Sequence, residues 1–180
     1  MLQTLLHAMF NIKAGLDLVG QFIVDKLRNE LEEQGHNDTG NLIKSIDYSI
    51  NRSGNSYTIE VSAIGYAKYL ETGIAAGNWV NVYALAEWVE RKGIATGEKE
   101  IKSAAFAIRR KIYNEGSPTR GSYRFSGNGR RKEFISVVMD ENAIAIFDML
   151  VDVFSEAAEI EITNAISKNK KTFELGFRQF

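Results

Sequence analysis

The chain has 180 residues, no cysteine, and 22 basic against 23 acidic side chains. The missing thiols exclude disulfides, zinc–thiolate centres and thiol nucleophiles, and the balanced charge creates no global field that would select nucleic acid or a membrane. A chain of this length buries roughly 70% of its unfolded surface, enough for one domain spanning residues 1–180. No run approaches the roughly 18 apolar residues of a membrane span. Met1 to Gly20 lacks the basic start, apolar block and cleavage site of a signal peptide. A soluble protein folded in a reducing cytoplasm is expected.

Ile12, Leu16, Val19, Ile23, Leu27 and Leu31 step by three and four, which predicts a helix from about Asn11 to Gln34 with Gly35 as its C-cap. Gly35 to Gly40 reads as a turn-rich loop. Ser45–Asn51 and Ser56–Ala63 alternate, with Ile46, Tyr48, Ile50 and Tyr57, Ile59, Val61, Ala63 facing inward. Arg52-Ser53-Gly54-Asn55 supplies the reversal of an antiparallel hairpin, whose dry face should rest on the first helix. Tyr66 to Leu70 predicts a short helical turn. Asn81 is placed to cap a helix from Val82 to Lys92, closed by Gly93. Thr96 is placed to cap the next helix, in which Ile101, Ala105, Ile108 and Ile112 make the stripe and Gly116 and Pro118 end it.

Ser117 to Arg131 has no periodicity and reads as a long basic loop or extended arm. The last helix starts near Phe134 or Asp140 and runs to about Lys168. Ile144, Phe147, Val151, Phe154, Ala158, Ile162 and Ala165 form its main apolar stripe, and Ile146, Met149, Val153 and Ile160 widen it. A helix this apolar is normally covered on more than one side, by its own domain or by a neighbouring subunit. In the tail, residues 170–180, Phe173, Leu175, Phe177 and Phe180 alternate as in a short strand.

Two phrases stand out: Thr39-Gly40-Asn41-Leu42-Ile43-Lys44-Ser45-Ile46 before the first strand, and Tyr66-Ala67-Lys68-Tyr69-Leu70-Glu71-Thr72-Gly73 after the second. Two more follow: Trp88 to Ile94, and Ala104 to Ile112 with Glu115-Gly116-Ser117-Pro118. In this order the four phrases resemble the tail-completion and neck proteins of tailed bacteriophages, the head–tail connectors. The chain departs from that pattern at Arg130-Arg131-Lys132-Glu133-Phe134, where the family often carries Arg-Pro-Phe, and in a longer segment from Ser117 to Gly129.

The expected fold is α+β: an antiparallel sheet packed against an N-terminal helix and a long C-terminal helix, with a helical hairpin inserted at about residues 78–116 and a basic loop at 117–131. The resemblance implies a virion structural protein assembled in the host bacterial cytoplasm. It would form a hexameric or dodecameric ring in the neck or upper tail, around the DNA channel. Its partners would be other copies of itself, portal, adaptor or neck ring proteins, and tail tube or tail hub proteins, with non-specific DNA contact in the channel and no membrane. No cofactor and no enzymatic activity are implied.

Charge is segregated. Arg109 to Lys132 holds eight basic residues and one acid, whereas Glu133 to Ile162 holds eight acids and no base. Arg120, Tyr123, Arg124, Phe125, Arg130 and Arg131 on one side, and Asp148, Asp152, Glu156 and Glu159 on the other, are the candidate subunit-interface residues. A basic arm meeting the acidic helix of the next copy makes a head-to-tail contact that closes into a ring when the rotation permits. Phe173, Phe177 and Phe180 either fold back on the chain's own sheet or add a strand to a partner.

The alternative is a nucleic-acid-binding module using residues 120–132, since aromatics interleaved with Arg stack on bases and neutralise phosphates. Trp79 and Trp88 read as core or interface anchors. Glu71 reads as a helix-end or loop hydrogen-bond partner rather than a catalytic acid, because no complementary carboxylate is visible. His36 with Asp38 is the one candidate metal pair, and its spacing is poor for that purpose.

Overall fold

A computed structural model of the chain describes the backbone of residues 2–54 and 56–176, and the side chains of residues 12–54, 56–160, 162 and 163. The architecture is α+β. Helix α1 (Leu2–Glu33) is followed by the short α2 (Asn41–Ser45) and by strands β1 (Asp47–Ser53) and β2 (Ser56–Ser62). Then come α3 (Ala67–Thr72), α4 (Val82–Arg91), α5 (Glu98–Glu115), a 3-10 helix (Arg120–Phe125) and the long α6 (Phe134–Gly176). The strands pair antiparallel from Asp47↔Ser62 through Ile50↔Ile59 to Ser53↔Ser56. Gly54, at φ 59°, takes the left-handed conformation that the tight reversal requires. Asn55 lies outside the described residues.

The chain divides into two compact units, Met1–Arg28 with Ser45–Ser62 and Val138–Phe180, and Asn29–Lys44 with Ala63–Val137. In the first unit Leu16, Val19, Ile23 and Leu27 are buried along α1, as their spacing predicts. Glycine lets two partners come close to α1. The Tyr48 ring lies against Gly20 and the Val153 side chain against Gly15, where a Cβ would collide with each. The Tyr48 hydroxyl donates to the Asp17 carbonyl at 3.1 Å, and the Arg28 guanidinium donates to the Ile46 carbonyl at 2.8 Å. The start of the hairpin, at Tyr48, therefore rests on α1, whereas Val61 and Ala63, expected to face inward, are exposed, and Ala63 lies beyond the end of β2.

In the second unit Leu31, Leu42, Ala67, Val89, Ala105 and Phe134 are buried. The Asn81 side chain caps α4, its Oδ1 accepting from the N–H groups of Tyr83 at 2.9 Å and Ala84 at 3.4 Å. Gly97, not Thr96, occupies the N-cap of α5, and no side chain caps that end. Ile74 and Ser117 exchange backbone hydrogen bonds at 2.7 and 2.8 Å, joining the end of the Tyr66–Gly73 phrase to the end of α5.

Three further sequence expectations change. Asn41–Ser45 is a short helix within the stretch that leads to β1, because Gly40 turns the chain at φ 70° and Leu42 is then buried. Of the two readings of the basic segment, the loop holds and the extended arm does not, since the segment contains a 3-10 helix and is tied to the end of α1. Thr172 to Gly176 is helical, continuing α6 and not forming a strand. Phe177 and Phe180 lie outside the described residues, as does the Phe173 side chain.

Candidate docking surfaces

In the first unit, α6 presents two apolar faces. Ile146, Met149, Val153 and Ile160 are partly covered and Ala157 is buried. The main stripe is the uncovered one: Ile144 is 79% exposed, Phe147 63% and Ile162 60%, and Val151 and Phe154 are also exposed. Phe147, Leu150, Val151, Phe154, Ser155 and Ala158 line a shallow groove of about 420 Å³. At about 100° per residue, Glu141, Asp148, Asp152 and Glu159 fall along one edge of this ridge, with Glu156 beyond them. Asp148, Asp152, Glu156 and Glu159 are all exposed. Among the described residues no cation pairs with these four. An acid-edged apolar ridge of this kind marks an interaction surface more often than a solvated face.

In the second unit the basic segment is fastened at one end. Gly127 N–H donates to the Glu33 carbonyl at 2.7 Å, and Asn128 Nδ2 donates to the Glu30 carboxylate at 3.0 and 3.1 Å. Arg131 Nη1 donates to the Gln34 and Gly35 carbonyls, at 2.5 and 3.3 Å. These carbonyls lie at the C-terminal end of α1, where helix carbonyls lack partners and a cation is favoured. Arg131 is thus committed to the chain's own backbone, and Arg130 lies 3.9 Å from the Glu30 carboxylate.

Arg120, Tyr123, Arg124 and Phe125 remain exposed on the 3-10 helix. The Arg124 guanidinium lies over the Phe125 ring, 4.7 Å from its centroid, and Phe125 is 61% exposed. Such a pair offers a flat apolar surface beside a charge that needs only a carboxylate.

A larger cavity of about 840 Å³ lies in the same unit, with Leu42, Tyr66, Trp88, Ile94 and Phe125 among its walls. Its polar side is an ion cluster that spacing in the sequence could not reveal. The Asp38 carboxylate accepts from Arg91 Nη2 at 2.9 Å and lies 3.0 Å from Lys92 Nζ. Burial opposes ionisation of Asp38, but hydrogen bonds and charge from Arg91 and Lys92 outweigh it and hold the carboxyl below its usual range. His36 Nε2 lies 3.2 Å from the Arg131 carbonyl. Burial, with the Arg131 charge beside it, pushes the His36 imidazole down from 6.5 to about 4. Asp38 is spent on two cations and the His36 ring on the Arg131 carbonyl.

Glu71 has a structural task. Its Oε2 accepts from Ile135 N–H at 2.7 Å, and its Oε1 accepts from Ser136 N–H at 3.2 Å and from the Ser136 hydroxyl. It is a helix-end partner, as its position in the phrase suggests. Trp79 stacks on Tyr113 with ring centroids 4.1 Å apart, under the Arg109 guanidinium at 4.5 Å, and stays more than half exposed. No helix among the described residues is long and apolar enough to cross a membrane.

No protein-family model, curated protein or solved structure matches the chain.

Proposed function

We propose that this protein is a structural subunit that works by assembly: a ring component of the neck or upper tail of a tailed bacteriophage. It would join the portal or adaptor region to the tail around the DNA channel and travel with the virion. The observation that carries the assembly reading is the α6 ridge, a row of large apolar side chains left open along one helix and edged by acids. A row this long has no role in the chain's own core, and water disfavours leaving it bare. The neck assignment rests on the resemblance of the four phrases to tail-completion and neck proteins. Cryo-electron microscopy of the particle that carries this protein tests it. Cyclic copies around the channel are expected, and copies off that axis or absent from the particle would overturn it.

Nucleic-acid binding is the second reading, favoured by the exposed Arg120, Tyr123, Arg124 and Phe125. Against it, Arg131 is committed to the α1 terminus and Lys132 is paired with Glu133 at 2.5 Å, so less positive charge is free than the sequence suggests. Binding to single-stranded DNA that weakens steeply with salt and disappears in an Arg120→Ala, Arg124→Ala variant would favour this reading.

A further inference from the structure

The uncovered ridge of α6 and the exposed end of the basic segment are complementary in shape class and in charge. The ridge offers a groove whose floor is Phe147, Val151 and Phe154, with Asp148 and Asp152 along one edge. The 3-10 helix offers an exposed ring, Phe125, with a guanidinium already lying over it, and a second exposed cation, Arg120. A ring that enters such a groove leaves the stacked guanidinium at its rim, where the acids lie.

The units that bear these features differ in sign. Residues 1–28, 45–62 and 138–180 hold 8 basic and 12 acidic side chains, a net charge of 8 − 12 = −4. Residues 29–44 and 63–137 hold 14 and 11, a net charge of 14 − 11 = +3. Two α6 ridges laid antiparallel against each other would bring acidic edges together, a pairing that like charges disfavour.

We infer that the occupant of the α6 groove is the 3-10 helix of a second copy, with Phe125 as the anchor and Arg120 and Arg124 paired with Asp148 and Asp152. The contact joins two different patches and is therefore heterologous, so an associated pair keeps one unused patch of each kind and the association can propagate. The inference rests on the assembly reading and names the partner of its central surface.

Two variants of full-length protein test it: Asp148→Lys with Asp152→Lys, and Arg120→Glu with Arg124→Glu. All four positions are exposed, so both variants should keep the wild-type circular dichroism spectrum and unfolding midpoint. Native mass spectrometry and sedimentation equilibrium give the readout. Wild type should self-associate, and each variant alone should be a monomer, its association weakened about tenfold or more. Their mixture should associate again, because the intact loop of the first meets the intact α6 of the second, and the lysines on the α6 of the first face the glutamates on the loop of the second.

The absence of cysteine permits an independent check. Gly121→Cys and Ser155→Cys proteins, oxidised together, should form a mixed disulfide dimer that neither forms alone. An Arg120→Glu, Arg124→Glu variant that associates as wild type does would show that the 3-10 helix takes no part in the contact and overturn the inference. A monomeric wild type would overturn it as well, yet would leave the neck assignment standing, because imaging of the particle tests that assignment separately.

Discussion

Glu71 closes the N-terminus of α6 from 64 residues away, its carboxylate accepting the Ile135 N–H at 2.7 Å. The same side chain takes the Ser136 N–H and hydroxyl, while Leu70 and Glu71 carbonyls accept the Glu133 N–H at 3.1 and 3.0 Å. The first N–H groups of a helix have no internal partner, and a carboxylate there also meets the positive end of the helix dipole. Glu133 holds a left-handed φ of 64°, unfavourable for a residue with a Cβ, and these bonds help hold it there.

Glu71→Ala should therefore destabilise the chain by about 1–3 kcal/mol, since it strands two backbone donors at once. Ser136→Ala removes one hydroxyl and should cost less, about 0.5–1 kcal/mol. Urea unfolding monitored by circular dichroism gives both values. Glu71→Gln keeps one acceptor oxygen and should fall between them. A Glu71→Ala midpoint equal to that of wild type would refute the capping role.

Gly73 ends the second phrase for a reason that lies elsewhere in the chain. It sits at φ 73°, and a Cβ added there would stand 2.6 Å from the Ser117 carbonyl oxygen, which is bonded to Ile74 N–H. Gly73→Ala has both an unfavourable φ and a backbone collision, and should cost about 2 kcal/mol or more. Gly65 has open space around its Cβ position and no positive φ, so Gly65→Ala should be neutral or slightly stabilising. Comparing the two urea midpoints separates the geometric reason from a general loss of glycine flexibility.

The sequence carried the local causes and lost the distant ones. Alternation and Gly54 placed the hairpin within two residues at most ends, and Asn81 marked the start of α4, because each signal and its consequence lie within a few residues. Thr96 misplaced the next cap by one position, since Gly97 itself sits at the helix start and Glu98 and Glu100 then follow in the first turn. Helix α2 escaped notice because five residues show no period. Arg131 looked like its neighbours Arg130 and Lys132, and only the folded α1 terminus singles it out. For α6, periodicity showed a main stripe widened by residues that point roughly 150° away from it, without saying which side the chain covers. The denser stripe turned out to be the exposed one, because Gly15 admits Val153 and thereby turns the other face toward α1.

His36 should make stability depend on pH. Its folded pKa, about 4, lies below the ordinary 6.5, so between those values the unfolded chain holds more protons than the folded one. Stability is then fully present above about pH 6.5 and is lost as pH falls toward 4. A shift of that size corresponds to about 3 kcal/mol in full, and partial exposure of the ring screens it to about 1–2 kcal/mol. The difference in unfolding free energy between wild type and His36→Asn, followed from pH 7 to 4.5, isolates this contribution because the carboxylates common to both cancel. The wild-type advantage should shrink steadily on acidification; a difference independent of pH would mean that the imidazole titrates normally.

Phe134 and Phe147 lie on one helix and should answer the same substitution in opposite ways. Phe134 is 1% exposed and fills the core of its unit, so Phe134→Ala should cost about 3–5 kcal/mol through lost burial and a cavity. Phe147 stands on the open ridge, and Phe147→Ser should change the stability of an isolated chain by no more than about 0.5 kcal/mol. What Phe147→Ser should change is association: the sedimentation profile should move toward the monomer while the urea midpoint at high dilution stays in place. If instead it lowered the midpoint of the dilute monomer as Phe134→Ala does, the ridge would be part of the chain's own core, and its value as a docking surface would vanish.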